Sequence, residues 1–158
     1  MAVVDVHTHV VPSSLADLSA RHRLWPTLEM REAGQAILMI DGKPFREIDA
    51  RSWDVERRMS DMAADGTDVQ VLSPMPELLS HWLPAELADH LARIVNDHIV
   101  EMIARAPDKF SGIGMAPMQN FELATKRLDD IKRQGLCGVE IGTHIDGVPL
   151  GEIGRAHV

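Results

Sequence analysis

The chain has 158 residues, 45% hydrophobic and 25% charged, the proportions of a single soluble globular domain that can bury a core without disulfides. A net charge of −8 with no Lys/Arg cluster and few aromatic residues excludes nucleic acid as the natural partner. No stretch approaches the ~20 apolar residues of a membrane span, and no membrane partner is expected.

The chain opens MAVVDVHTHVVP, where Val3, Val4 and Val6 are β-branched and Pro12 ends the run, so residues 3–8 read as a buried strand. Asp5 and His7 interrupt this run, so no signal peptide is expected. His7 and His9 stand two apart, and along a strand such side chains share a face. One ion can then touch both rings, and neutral imidazole is the commonest metal ligand. Two histidines at a strand end also have a plain structural reading, as hydrogen-bonded or hydrated polar residues. A catalytic zinc usually takes three protein ligands and keeps a position open, so further donors are required.

Residues 13–50 read as a long excursion from the first strand, with a short helix expected at 15–21 and then Trp25-Pro26. Asp41-Gly42, between Ile37–Ile40 and Phe45, is a hairpin signal. An excursion of this length suggests a functional insertion. Asp54 is a good N-cap for a helix carrying Val55, Met59, Met62 and Ala63, and Gly66 suits the left-handed position after its end. DVQVLSP (68–74) reads as a second strand, followed by a Pro-rich loop with Trp82. From Glu86 to Arg105 the spacing predicts the longest helix, with Leu87, Leu91, Ile94, Val95, His98 and Met102 on one face. FSGIGMAP (110–117) reads as a third strand, and Phe121, Ala124, Leu128 and Ile131 mark one face of a helix closed by Gly135. GVEIGTH (138–144) reads as a fourth strand. Cys137, the single cysteine, leads into it and reads as a small buried hydrophobe. With no partner for an intrachain bridge, it points to the cytoplasm.

Strands alternating with helices predict an α/β fold with a parallel sheet and helices outside. His7, His9, Ser73, Gln119 and His144 fall at or just beyond the carboxyl ends of their strands, the edge that carries active sites in a (β/α)8 barrel. Such a barrel needs eight strands and about 250 residues. Four are expected here, so the reading is the N-terminal half of a (β/α)8 TIM barrel with an insertion after its first strand.

VDVHTHVVP, DGKPFR, WDVERRMSDMAADGTDVQVLS, the Trp82 loop, FSGIGMAPMQ and GVEIGTH resemble, in order, the N-terminal half of the 2-amino-3-carboxymuconate-6-semialdehyde decarboxylase family of the amidohydrolase superfamily. The resemblance runs from about residue 3 to 151. It implies metal-dependent, non-oxidative decarboxylation of a small carboxylated substrate, muconate-like or aromatic. It further implies a divalent metal, usually zinc, on His7 and His9, and an arginine, Arg46, that holds a substrate carboxylate. A guanidinium offers carboxylates a planar, permanently charged fork, although by composition alone Arg46 reads as a solvated loop charge. The family often dimerises. A metal-dependent hydrolase of the same superfamily, acting on a carboxylated substrate, is the alternative. A small α/β binding domain with structural histidines is a third reading. Trp82 either walls the site or packs under the loop. His144 faces the pocket without being a metal ligand of the family. His22, His81, His90 and His98 read as surface or helix residues without a partner at ligand spacing.

The family's third metal-binding histidine, its proton-transfer histidine and an aspartate near the last strand lie in the second half of the barrel, beyond this sequence. The pattern changes after Gly151, and EIGRAHV is what GAG ATC GGA AGA GCA CAC GTC would encode, a string matching a common sequencing adapter. The expectation is therefore residues 1–151 as a native half barrel and 152–158 as a non-native read-through tail. A half barrel leaves sheet edges and its inner face uncovered, so this polypeptide is expected to associate and to lack activity alone.

Overall fold

A computed structural model describes residues 1–153. Its centre is a parallel sheet of β1 (Val4–Val10), β5 (Val69–Pro74) and β6 (Phe110–Gly112), in the order β1-β5-β6. Three helices follow the sequence pattern: α1 (Val55–Asp65), α2 (Ala85–Arg105) and α3 (Phe121–Arg133). Asp54 caps α1 by accepting from the Arg57 backbone N–H, and Gly66 closes it at φ 72°, in the region that glycine adopts without a Cβ penalty.

All three helices lie on one face of the sheet. Gln70 and Leu72 of β5 sit opposite Phe110 and Gly112 of β6 and so share that face. Arg58 of α1 bonds Gln70, and a Cβ on Gly112 would stand 2.6 Å from a methyl of Ile99 in α2. The absent side chain at Gly112 lets α2 pack on the strand itself. Val10, Leu72, Leu91, Val95, Ile99 and Met115 fill the layer between, each at most 1% exposed. Each such side chain contributes roughly 1.5–3 kcal/mol through burial.

The insertion forms its own antiparallel sheet, β2 (Thr27–Met30), β3 (Gln35–Ile40) and β4 (Lys43–Asp49). Asp41 and Gly42 turn at φ 56° and 66°, as the Asp-Gly signal requires. No helix forms at 15–21. Asp17 instead turns the chain by accepting from the Ser19 N–H, and the Trp25 indole takes the Ala16 carbonyl.

The sequence reading needs three further corrections. First, β1 is not buried throughout: Val3, Val4 and Val6 are 54%, 50% and 71% exposed, because helices cover only the other face of the sheet. Second, the fourth strand shrinks to one parallel bridge, Gly114 with Val139, flanked by hydrogen bonds from Gly114 N to Gly138 O and from Glu140 N to Gly114 O. Beyond it the chain folds into a small hairpin, β7 (His144–Ile145) and β8 (Val148–Pro149), around Asp146-Gly147, an Asp-Gly signal like the first. Cys137 is accordingly exposed, with Leu136 taking the buried place. Third, α3 buries Ala124, Arg127 and Ile131 while Phe121 and Leu128 stand 73% and 42% exposed. Of the tail expected at 152–158, Glu152 and Ile153 belong to a last short helix, α4 (Leu150–Ile153), and the rest lies outside the described residues.

Candidate functional site

His7 and His9 come together as their spacing predicts. Their ring centroids are 5.1 Å apart, edge to face. The strand that carries them is irregular, however. Asp5 pairs with Gln70 and Thr8 with Leu72, so β1 advances three residues while β5 advances two. That count is a β-bulge. Since Gln70 and Leu72 face the helices, Asp5 and Thr8 do too. His7 and His9, on either side of Thr8, face the helix-free surface with Val4 and Val6.

The ring of His9 is oriented from behind. Its Nδ1 lies 3.0 Å from the Pro74 carbonyl, which can only accept, so Nδ1 carries the hydrogen. The Ser73 hydroxyl, 2.9 Å from the same nitrogen, accepts from it and donates to the Thr8 carbonyl. In the neutral ring this leaves the lone pair on Nε2, the arrangement in which an imidazole binds a metal. The Glu140 carboxylate, on the fourth strand segment, stands 3.9 Å from His9 Nδ1, too far for a hydrogen bond.

Arg46, on β4, forms an ion pair with Glu77 just after β5, Nη2 to Oε1 at 2.5 Å. That contact ties the insertion to the carboxyl-end rim of the parallel sheet. It also means that the guanidinium already has one carboxylate, and an incoming anion would meet the remaining N–H groups. Trp82 is 40% exposed and walls an apolar hollow of about 440 Å³ with Leu24, Ile40, Phe45, Pro76 and Glu77.

The rim holds more than the sequence suggests. Buried side-chain atoms without a hydrogen-bond partner include Glu77 Oε2, Ser80 Oγ, both ring nitrogens of His81, Gln119 Oε1 and Glu140 Oε2. Most of them lie at or just beyond the strands' carboxyl ends, while His98 Nε2 and Gln134 Oε1 lie on α2 and after α3, and each unpaired buried atom calls for an explanation. His81 is the residue that sequence reasoning missed. Burial lowers its pKa from the ordinary 6.5, and its Nε2 would lie 3.1 Å from a Cβ on Gly142, so that glycine makes room for the ring. Ser80, just before it, is held at φ 47°, a strained value for a residue with a side chain. His98 is likewise no free helix residue: burial first, and the charge of Arg58 second, push its pKa down to about 4. His90 stacks on Trp25, and His22 accepts at Nδ1 from the Leu24 N–H. His144 is exposed in the β7–β8 hairpin, its Nδ1 2.9 Å from the Thr143 hydroxyl.

As a metal centre, the site supplies two well-matched donors. Two imidazoles on one face, one with its Nδ1 directed at a carbonyl, fit part of the shell of a divalent ion. Among the described residues, no three His, Cys, Asp or Glu side chains converge closely enough to hold one.

Comparisons with known proteins bear on the family and the fold. The 2-amino-3-carboxymuconate-6-semialdehyde decarboxylase of Dictyostelium discoideum is 36% identical over 150 residues, covering 93% of this chain and 42% of that protein. The 5-carboxyvanillate decarboxylase of Novosphingobium aromaticivorans, solved with manganese and 4-hydroxy-3-methoxy-5-nitrobenzoic acid, is 30% identical with a TM-score of 0.61 over 67% of this chain and 32% of that one. Metarhizium anisopliae IDCase, at 20% identity, shares the fold over 94% of this chain and 44% of its own, with a TM-score of 0.71. This chain therefore has the architecture of the first half of a (β/α)8 barrel. It spans about two fifths of the length of the curated relatives it matches. No helix among the described residues is long and apolar enough to cross a membrane. Residues 4–156 match the amidohydrolase family, and the chain belongs to it.

Proposed function

We propose that this chain is the N-terminal half, residues 1–151, of a metal-dependent non-oxidative decarboxylase acting on a small muconate-like or aromatic carboxylate. The observation that carries the reading is the convergence of His7 and His9 on the helix-free face, with His9 Nδ1 committed to Pro74 and Nε2 left free. His7 and His9 hold a divalent ion, zinc or the manganese seen in the relative. When bound, such an ion polarises the substrate and makes hydroxide available near neutral pH.

The chain's own residues do the rest of what this half contributes. Arg46 binds a substrate carboxylate through the N–H groups that Glu77 leaves unused. Trp82 and the apolar hollow beside it hold the carbon skeleton and exclude water. Loss of carbon dioxide leaves carbanion-like charge that must be protonated, and the proton donor comes from the second half of the barrel. The same reading places the whole protein in the cytoplasm, as a homodimer.

The test is an assay of the whole protein bearing this segment, with manganese or zinc restored after chelation and an aromatic or muconate-like carboxylate supplied. Carbon dioxide release is expected, with His7→Ala plus His9→Ala reducing both metal content and rate to background. Release of acid from an ester or lactone, without carbon dioxide, would assign a hydrolase instead.

A further inference from the structure

We infer that Arg58, a residue that touches neither ion nor substrate, is the positioning residue of the histidine pair. The inference rests on the reading of His7 and His9 as metal ligands, and it says what holds them in place.

Arg58 is 7% exposed, and its guanidinium makes three hydrogen bonds, all to neutral acceptors. Nε donates to the Arg51 carbonyl at 3.0 Å, Nη1 to Gln70 Oε1 at 3.1 Å and Nη2 to the His9 carbonyl at 2.8 Å. Gln70 in turn donates to Asp5 Oδ2 at 3.4 Å, and the other Asp5 oxygen accepts from the His7 N–H at 3.1 Å. The chain of contacts runs from the residue before the bulge, through β5 and α1, to the residue after it. At a bulge the ladder between strands is interrupted. Here a side-chain network spans the gap.

This bulge decides where the rings point. Were the same residues paired as a regular strand, Asp5, His7 and His9 would share a face by simple alternation. With the bulge, Asp5 turns to the helices while His7 and His9 turn away from them. Arg58 fixes the backbone of His9 from the helix side, and Ser73 and Pro74 fix its ring. A lysine has no planar fork with which to reach Gln70, Arg51 and His9 together.

The experiment compares Arg58→Met and Arg58→Lys with Arg127→Met, which removes a buried arginine elsewhere, using the whole protein. Manganese affinity is measured by titration after chelation, and the ring nitrogens of His9 are followed by ¹⁵N NMR without metal. We expect Arg58→Met to weaken manganese binding by about 10- to 100-fold, the usual effect of losing an outer-shell contact. The His9 ring is expected to shift from a single Nδ1–H tautomer to a mixture. Arg58→Lys is expected to recover part of both, and Arg127→Met to change neither. Unchanged affinity together with a single unshifted tautomer in Arg58→Met would overturn the inference. So would an equal loss in Arg127→Met, which would mark the effect as general destabilisation. If the unsubstituted protein binds no manganese, the metal reading fails, and the His9 tautomer still decides the role of Arg58.

Discussion

Among the described residues two arginines are buried, and they are accommodated in opposite ways. Arg127, between α3 and α2, faces carboxylates. Nε and Nη2 grip Asp89 at 2.9–3.0 Å, and Nη1 reaches Asp130 at 2.7 Å. Arg58, between α1 and the parallel sheet, faces two backbone carbonyls and an amide. Burial pushes its pKa down, and the more distant charges of Asp5, Asp61 and Asp49 oppose that shift. The first arrangement cancels charge where it stands and pins two helices. The second leaves a cation whose field reaches its surroundings, where it adds to burial, the larger cause, in lowering the His98 pKa. A buried charge can therefore serve cohesion or placement, and the partners tell which.

The contrast can be broken most forcefully at Arg127. Removing it leaves Asp89 with no counter-ion in a half-buried place, so Arg127→Met is expected to cost about 3–5 kcal/mol in urea unfolding. Adding Asp89→Leu should recover much of that loss, because an apolar pair can replace a buried ionic one. Failure of the double variant to recover would mean that Asp130 carries the interaction. Arg58→Met should cost less, about 2–3 kcal/mol, from acceptors left without donors. No single acidic substitution should rescue it, since no carboxylate is bonded to it.

The pH dependence sharpens the same point. His98 is neutral in the folded chain, with a pKa near 4 against an ordinary 6.5. Its contribution to stability is complete above about 6.5 and is lost as pH falls towards 4, because the unfolded chain takes up the proton first. Urea midpoints between pH 7 and 4 should therefore fall less steeply in His98→Leu. In Arg58→Met, NMR titration should show the His98 pKa rising but stopping short of 6.5, because burial is the larger cause. The smallest effect belongs to Arg57, next door and exposed, whose pair with Asp61 spans one helical turn. Arg57→Ala should change stability by no more than about 0.5 kcal/mol.

Local chemistry was legible in the sequence wherever it was truly local. Asp41-Gly42, Asp54 and Gly66 each act on their immediate neighbours, and each does what its type requires. The shared orientation of His7 and His9 was legible too, since it depends on only two peptide units. The bulge was not, because it exists only as a mismatch between β1 and β5. The burial of Arg127 in place of Leu128 was equally hidden, since the partner that makes it tolerable, Asp89, lies on another helix. His81 looked ordinary because its burial comes from Gly142, 61 positions away. The helix expected at 15–21 failed because Asp17 and Trp25 claim backbone groups that the periodicity ignored.

The extra residue in β1 changes what it would take to move this histidine pair into another protein. Grafting His-Thr-His onto an ideal strand would keep the two rings on one face and lose the contacts that hold them from behind. The transferable unit is Asp5 through His9, the glutamine across from it and the arginine behind both. Pairing the same sequence without the bulge would turn Asp5 towards the open face beside the two rings. Deleting Val6 would instead leave Asp5 and Thr8 two apart and both towards the helices.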